Sequence, residues 1–296
     1  MFLACAAFAW PVILRVSATA GAKGKAFARL YHPESVSDAQ FSQPSRRHWF
    51  GTDVHGRDLL SRVLSGAQVS LLVGLTGALV SAIIGVLWGA IAGYAGGRLD
   101  NLMMRFVDIL YSLPSIIFVI VLIATLEGVL KNRLATSASP HLVRFSRLLF
   151  LVVGLGSVSW LTMARIVRGE VLSLRTRPFI EAARVLGARP SRIVLRHILP
   201  NTMGVVIVYL ALTVPAILLY ESFLSYLGLG IQPPMASWGS LISEAAEQIN
   251  PIRIYWWLVL FPGAVLVLTL LALNSVAAGL RDAWDVKSGS AWKPSR

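Results

Sequence analysis

Cysteine is nearly absent: Cys5 is the only one in 296 residues, which excludes an internal disulfide and any Cys-rich metal centre. Charge is scarce as well. Charged residues make up 14% of the chain, against roughly 25% in an ordinary soluble domain, while 56% are apolar. Acids are scarcer still, 14 Asp and Glu against 27 Lys and Arg, giving a formal charge of +13. The basic residues lie in polar breaks between long apolar runs, a placement that suits lipid headgroups and partner surfaces and argues against nucleic acid. There is no Gly-x-x-x-x-Gly-Lys-Ser/Thr loop. The nearest stretch, Gly21 to Ala26, lacks both the spacing and the hydroxyl, so ATP has no seat of that kind. His32, His48, His55, His141 and His197 are not spaced as metal ligands, and no Gly-x-Ser-x-Gly elbow occurs. An enzyme is not expected, and neither a metal nor a cofactor.

What the chain has is apolar length. It reads as an all-α, polytopic membrane protein with about six transmembrane helices, over residues 2–16, 69–93, 106–126, 148–164, 202–220 and 258–280. The first, broken by Pro11, reaches only about 22 Å at about 1.5 Å per residue, short of a roughly 30 Å hydrocarbon core. A signal peptide is the rival reading. The basic n-region that signal needs is missing, so a short or truncated first helix is expected. Three parts follow: 1–68 with the first helix and an external segment, a transmembrane domain over 69–287, and a polar tail over 288–296.

The external segment ends in a run from Trp49 to Arg62. Thr52, Asp53 and Asp58 are capping residues, after which Leu59, Leu60, Val63, Leu64 and Ala67 share a helical face, predicting an amphipathic helix along the membrane surface. Caps and an Arg–Asp pair account for Asp53, Arg57 and Asp58 without catalysis. Within 69–93, Gly77, Ser81, Gly85, Gly89 and Gly93 recur every four residues, a ridge on which a neighbouring backbone can approach closely in lipid. In the next span Asp108 lies one turn from Arg105, an expected interfacial ion pair, and Pro114 is expected to kink the helix. Further on, Ser237 can cap a second interfacial helix whose Trp238, Leu241, Ile242, Ala245 and Ile249 share a face, and Trp256 and Trp257 mark the following membrane boundary.

The most Arg-rich break lies between the fourth and fifth spans. From Arg165 to Arg196 there are eight Arg against Glu170 and Glu181. Within it, residues 178–200 read as two short helices joined by a corner. Pro178 suits a first helical position, Glu181 favours the positive end of the helix dipole, and Gly187 can close the helix in a left-handed conformation. Pro190 and Ser191 then start a second helix that runs to Pro200. A compact cationic knob of this kind fits a socket in a water-soluble partner, and its concentration of Arg places it on the inner side.

The pattern Glu181-Ala182-Ala183, then Gly187, then Leu199-Pro200 resembles the EAA loop of ABC-importer permeases. Two further stretches are similar to the C-type permease subunits of the dipeptide, oligopeptide and nickel importers. One carries Gly51, Thr52, Asp53, Gly56, Arg57 and Asp58; the other runs from Glu221 through Gly228 and Gly230 to Gln232-Pro233-Pro234. The likeness spans about residues 46–287, with His197 standing where the general motif has Ile. The resemblance implies a type I importer fold in a bacterial or archaeal cytoplasmic membrane, working by alternating access. It also implies a homologous second permease, two cytoplasmic ATP-binding subunits docked on the knobs, and an extracytoplasmic solute-binding protein. The glycine ridge would then seat the second permease. A self-contained channel or secondary transporter is the alternative, and would be expected to carry ionisable residues deep in several spans.

Overall fold

The computed structural model describes residues 2–19, 21–134, 140–233, 235–249 and 252–289, which are mostly helical, apart from the non-helical segment 31–58 with its isolated bridge between Thr52 and Asp58 and shorter connections elsewhere. The helices are α1 (Phe2–Thr19), α2 (Gly21–Leu30), α3 (Leu59–Ala95), α4 (Gly97–Ser112), α5 (Ser115–Leu134), α6 (Pro140–Leu174), α7 (Pro178–Val185), α8 (Pro190–Ile193), α9 (Leu199–Tyr226), α10 (Trp238–Glu247) and α11 (Trp256–Gly289), with a π-helical turn over Val194–Ile198. Among the described residues, four stretches are long and apolar enough to cross a membrane: Leu59–Ala95, Ser146–Leu174, Pro190–Tyr226 and Trp256–Trp284. A bent pair, Gly97–Ser112 with Ser115–Leu126, makes a fifth, and Cys5–Thr19 is a shorter apolar helix. Counted together, these agree with about six spans.

The chain divides into two compact units. The first comprises Met1–Gly74 and Leu218–Ala272. Its core joins Leu59, Val63 and Ala67 of α3 to Trp238, Leu241 and Ala245 of α10 and to Trp257 of α11. Here the structure corrects two expectations. No separate surface helix precedes the second span: with no proline between residues 59 and 95, α3 runs unbroken through both. The apolar faces of its first turns and of α10 lie against one another, each covering the other, and the Trp238 indole donates to the Val63 carbonyl at 3.1 Å. Ser237 caps α10 by accepting from the Ser240 amide.

The second unit comprises Leu75–Ile217 and Leu273–Arg296. In it the glycine ridge of α3 meets α6 of the same chain. A Cβ added at Gly85 would lie 2.6 Å from Met163 Cβ, and one at Gly89 2.5 Å from the Ala164 carbonyl oxygen. One at Gly93 would lie 2.9 Å from the Arg168 carbonyl oxygen, and one at Gly77 3.2 Å from Ile217 of α9. Ser81, also on the ridge, is fully buried. The neighbour on this ridge is thus an internal helix, where a second permease was expected.

Two ion pairs hold α4 to α6. Asp100 receives two bonds from Arg168, at 2.6 and 2.7 Å, and is buried. Asp108 pairs at 2.7 Å with Arg165, which lies over the Tyr111 ring, so its partner is not Arg105. Proline does more than kink the third span. Pro114 separates α4 from α5 and the two helices meet at 90°, because proline cannot donate to the carbonyl four residues back and disfavours helix in the residue before it. Leu113 accordingly has extended angles, φ −80° and ψ 138°.

Candidate functional site

The knob over 178–200 is built by alternating buried anchors with exposed polar positions. Pro178 opens α7 after the extended Arg177. Its amide is not missed, since a first-turn amide has no intrahelical acceptor. Helix α7 ends in a Schellman closure: the Ala188 amide donates to the Ala183 carbonyl at 3.0 Å, the Gly187 amide to the Arg184 carbonyl at 3.0 Å, and Gly187 has φ 78°. Nothing stands within 4 Å of a Cβ built there, so backbone conformation alone is what favours glycine. Pro190 then opens α8.

Three isoleucines fix this corner to the second unit. Ile180, Ile193 and Ile198 are buried in one cluster with Met163, Val167 and Val171 of α6. The opposite side is open. Val185 and Leu186 at the tip are 88% and 86% exposed, and Glu181, Ala182, Arg184, Arg189, Arg192 and Arg196 are exposed as well. Ala183 and Leu199 are half-buried against the isoleucine cluster, and Pro200 is exposed.

The second short helix does not stop at Pro200. Proline has no N–H for the Arg196 carbonyl and its ring would crowd it. The backbone widens by one residue, so that the Leu199 amide reaches the Val194 carbonyl five positions back. The Asn201 side chain caps the His197 carbonyl at 2.5 Å. Pro190–Tyr226 is therefore one helical stretch of 37 residues, with residues 190–200 of the knob as its leading end.

The other motif residues gather in the first unit around two buried polar centres. In one, Asp53 accepts from the His55 and Arg57 amides at 2.8 and 3.0 Å, from Arg57 Nε at 2.7 Å and from Arg62 Nη1 at 2.8 Å. Arg62 also grips both oxygens of Glu244 on α10, at 2.6 and 2.9 Å. Beside it Asp58 accepts from Ser61 and pairs with His48 at 2.9 Å. Thr52 takes the Ser42 amide at 2.8 Å, donates to the Ala39 carbonyl and offers its own carbonyl to the Trp257 indole. Gly51 and Gly56 have φ 78° and 68°, and a Cβ at Gly51 would lie 2.6 Å from the Ser42 carbonyl oxygen. Close by, burial and the Asp58 charge raise the pKa of the Tyr31 phenol.

The second centre is Glu221, fully buried. It accepts from Ser70 at 3.0 Å and Ser225 at 2.7 Å, with Ser222 at 3.4 Å. Ser70 in turn takes the Trp238 amide, and Ser225 the Ile231 amide. The segment between α9 and α10 is thus tied to one carboxylate. Gly228 turns that segment at φ 75°, and Gly230 leaves room for Ser225, whose backbone N would be 2.7 Å from a Cβ there. Sequence reasoning missed Glu244, Asp100, Ser70 and Ser225. Each is an ordinary polar residue whose role appears only when its distant partner is placed.

These features define an α-helical, multi-pass membrane protein with an exposed cationic corner at the leading end of one span. The chain belongs to the family described as "Binding-protein-dependent transport system inner membrane component", whose pattern matches residues 85–287. It is a permease subunit of an ABC importer in the inner membrane. Among curated proteins it is 47% identical over 241 residues to the oligopeptide transport system permease protein OppC of Haemophilus influenzae, covering 81% of this chain and 70% of that one. It is 49% identical to OppC of Escherichia coli strain K12, covering 81% and 72%, and 42% identical to the dipeptide transport system permease protein DppC of Bacillus subtilis, covering 82% and 70%. In fold it resembles the MetNI methionine ABC transporter in an inward-facing conformation, with a TM-score of 0.56 at 19% identity over 76% of this chain and 97% of that one.

Proposed function

We propose that this permease imports short peptides by alternating access, driven by ATP-binding subunits that dock on the knob over residues 178–200. Its partners in this reading are a homologous second permease, two cytoplasmic ATP-binding subunits and an extracytoplasmic solute-binding protein. The peptide substrate rests on the oligopeptide and dipeptide permeases it resembles at 42–49% identity. The observation that carries the coupling role is the two-sidedness of the corner: Ile180, Ile193 and Ile198 are buried, while Val185 and Leu186 stand almost free. An exposed apolar pair on a corner that also exposes Arg184, Arg189 and Arg192 is costly in water and suited to a socket. Because the knob is held to α6 and its second half runs on into α9, closure of two docked subunits would move it as a rigid body and shift the inward–outward equilibrium.

Glu181→Lys inverts the one acidic charge on α7, and Gly187→Val forces a β-branched residue into a positive φ. Both variants should reach the membrane intact, lose uptake, and lose substrate-stimulated ATP hydrolysis in reconstituted vesicles. Ser191→Arg, an exposed position one helix on, controls for added charge alone. Full uptake and stimulated hydrolysis in both variants would refute the docking role.

A further inference from the structure

In the first unit a cavity of about 490 Å³ opens between α1, α2, the turn at 32–34, the first turns of α3 and residues 235–236. Its size falls within the roughly 300–1,000 Å³ of small-molecule sites. The wall is largely apolar, with Pro11 and Leu14 of α1, Ala28 of α2 and Val69 of α3. Polar side chains interrupt it: Arg15, His32, Glu34, Arg62, Ser65 and Gln68, with the Trp10 ring beside them. The Trp10 ring lines the cavity, and its indole N–H, turned away from the open space and buried, has no acceptor. Arg15 and Glu34 line the same cavity with opposite charges, and neither side chain has a hydrogen bond or ion pair among the described residues. Arg62, which also lines it, is by contrast fully engaged by Asp53 and Glu244.

An unpaired cation, an unpaired anion and a donor without an acceptor, set around an apolar space, are complementary to one kind of molecule. We propose that this cavity binds a zwitterionic ligand with an apolar body. Its anionic group meets Arg15 and its ammonium meets Glu34, and a carbonyl oxygen takes the Trp10 N–H when the indole ring turns to present it to the cavity. Two sources share that chemistry: a short peptide with free termini, and an aminophospholipid with its phosphate, ammonium and ester carbonyls. The peptide source rests on the transport reading above, whereas the lipid source is independent of it.

The full-length chain in phosphatidylglycerol nanodiscs, which supply no ammonium group, separates the two. In one arm trialanine and its N-acetyl, C-amide form are titrated against tryptophan fluorescence. In the other, part of the lipid is replaced by phosphatidylethanolamine and the retained lipid is counted by native mass spectrometry. One arm should show saturable binding that Arg15→Gln and Glu34→Gln each weaken at least tenfold and that Ala28→Trp, which fills the cavity, abolishes. Trialanine should then bind while its blocked form does not, or phosphatidylethanolamine should be retained where phosphatidylglycerol is not. Arg15 and Glu34 are exposed, so their variants keep the test decisive even if Ala28→Trp fails to fold. No saturable binding in either arm, or binding weakened less than tenfold by the charge variants, overturns the proposal. Loss of uptake in Glu181→Lys bears only on coupling and leaves this result untouched.

Discussion

Gly89→Ala adds one methyl group at the tightest point between α3 and α6. That carbon would lie 2.5 Å from the Ala164 carbonyl oxygen, 2.9 Å from the Arg168 amide nitrogen and 3.0 Å from Val167 Cβ. Ordinary contact is about 3.5 Å, so the helices must part locally by about 1 Å. Two of the three obstacles are backbone atoms and cannot swing aside. Overpacking of this kind costs about 1–3 kcal/mol, and the rigid obstacles place this case in the upper half of that range. Separation would also loosen the buried Ala90 and Val167 contacts and draw Arg168 away from Asp100. Gly169→Ala is the matched control. It lies on α6 with nothing within 4 Å, and alanine is about 1 kcal/mol better than glycine in a helix interior. The purified chain in detergent is heated and the fraction remaining monodisperse is read by size-exclusion chromatography. Gly89→Ala should lose its folded form at clearly lower temperature, while Gly169→Ala should match or exceed the wild type. Equal midpoints for Gly89→Ala and wild type would refute the close-packed ridge.

Three further outcomes follow from the polar clusters. Arg62→Ala removes one of the two guanidinium partners of buried Asp53, which keeps Arg57 and two backbone amides, so the cost should fall below the about 3–5 kcal/mol of a buried charge left with no partner, the more so because Glu244 is 31% exposed; protease sensitivity of the 51–62 segment should rise with it. Glu221→Ala leaves the Ser70 and Ser225 hydroxyls without their acceptor and should cost at least about 2 kcal/mol, whereas Glu221→Gln keeps one acceptor oxygen and should retain most of the stability, both read by thermal inactivation. Asp100→Ala removes two charged bonds to Arg168 and should cost about 1.5–3 kcal/mol, while Asp108→Asn, in a pair 58% and 38% exposed, should change the same melting curve by no more than about 1 kcal/mol.

What could be read in the sequence was local. Gly187 follows a run of α7 residues and precedes Pro190, so a left-handed closure is legible without any tertiary contact, and Ser237 before Trp238 marks a cap in the same way. Apolar length sufficed to find the spans. Reach along the chain was the limit. The Arg62–Glu244 bonds join residues 182 positions apart, and Glu221 meets Ser70 across 151. No periodicity encodes such pairs. Asp108 was assigned to Arg105 because one helical turn was the nearest available spacing, yet α6 brings Arg165 closer to hand. The face of Leu59, Val63 and Ala67 likewise has the pattern of a surface helix. A half-apolar helix looks the same whether lipid or another helix covers it, and here α10 covers it.

Pro200 was the most instructive misreading. Proline inside a helical pattern removes one amide and crowds the carbonyl four residues back, which is ordinarily reason enough to end the helix. Here the cost falls on a single turn. The Leu199 amide skips to Val194, Asn201 supplies a side-chain donor to His197, and Ile198 stays buried in the isoleucine cluster on the same widened turn. Without that turn the 178–200 corner would be a loop hinged at Pro200. With it, the second half of the corner, from Pro190 on, and α9 are one continuous helical body, anchored on its inner face by Ile193 and Ile198 and bare at Leu195 on its outer face. A hinge would dissipate a push on Val185 and Leu186 within a few residues. Val185 and Leu186 lie across the Gly187 turn from that helix, so a push on them reaches it through the shared packing of Ile180, Ile193 and Ile198, and the helix past the π turn then carries it into the span.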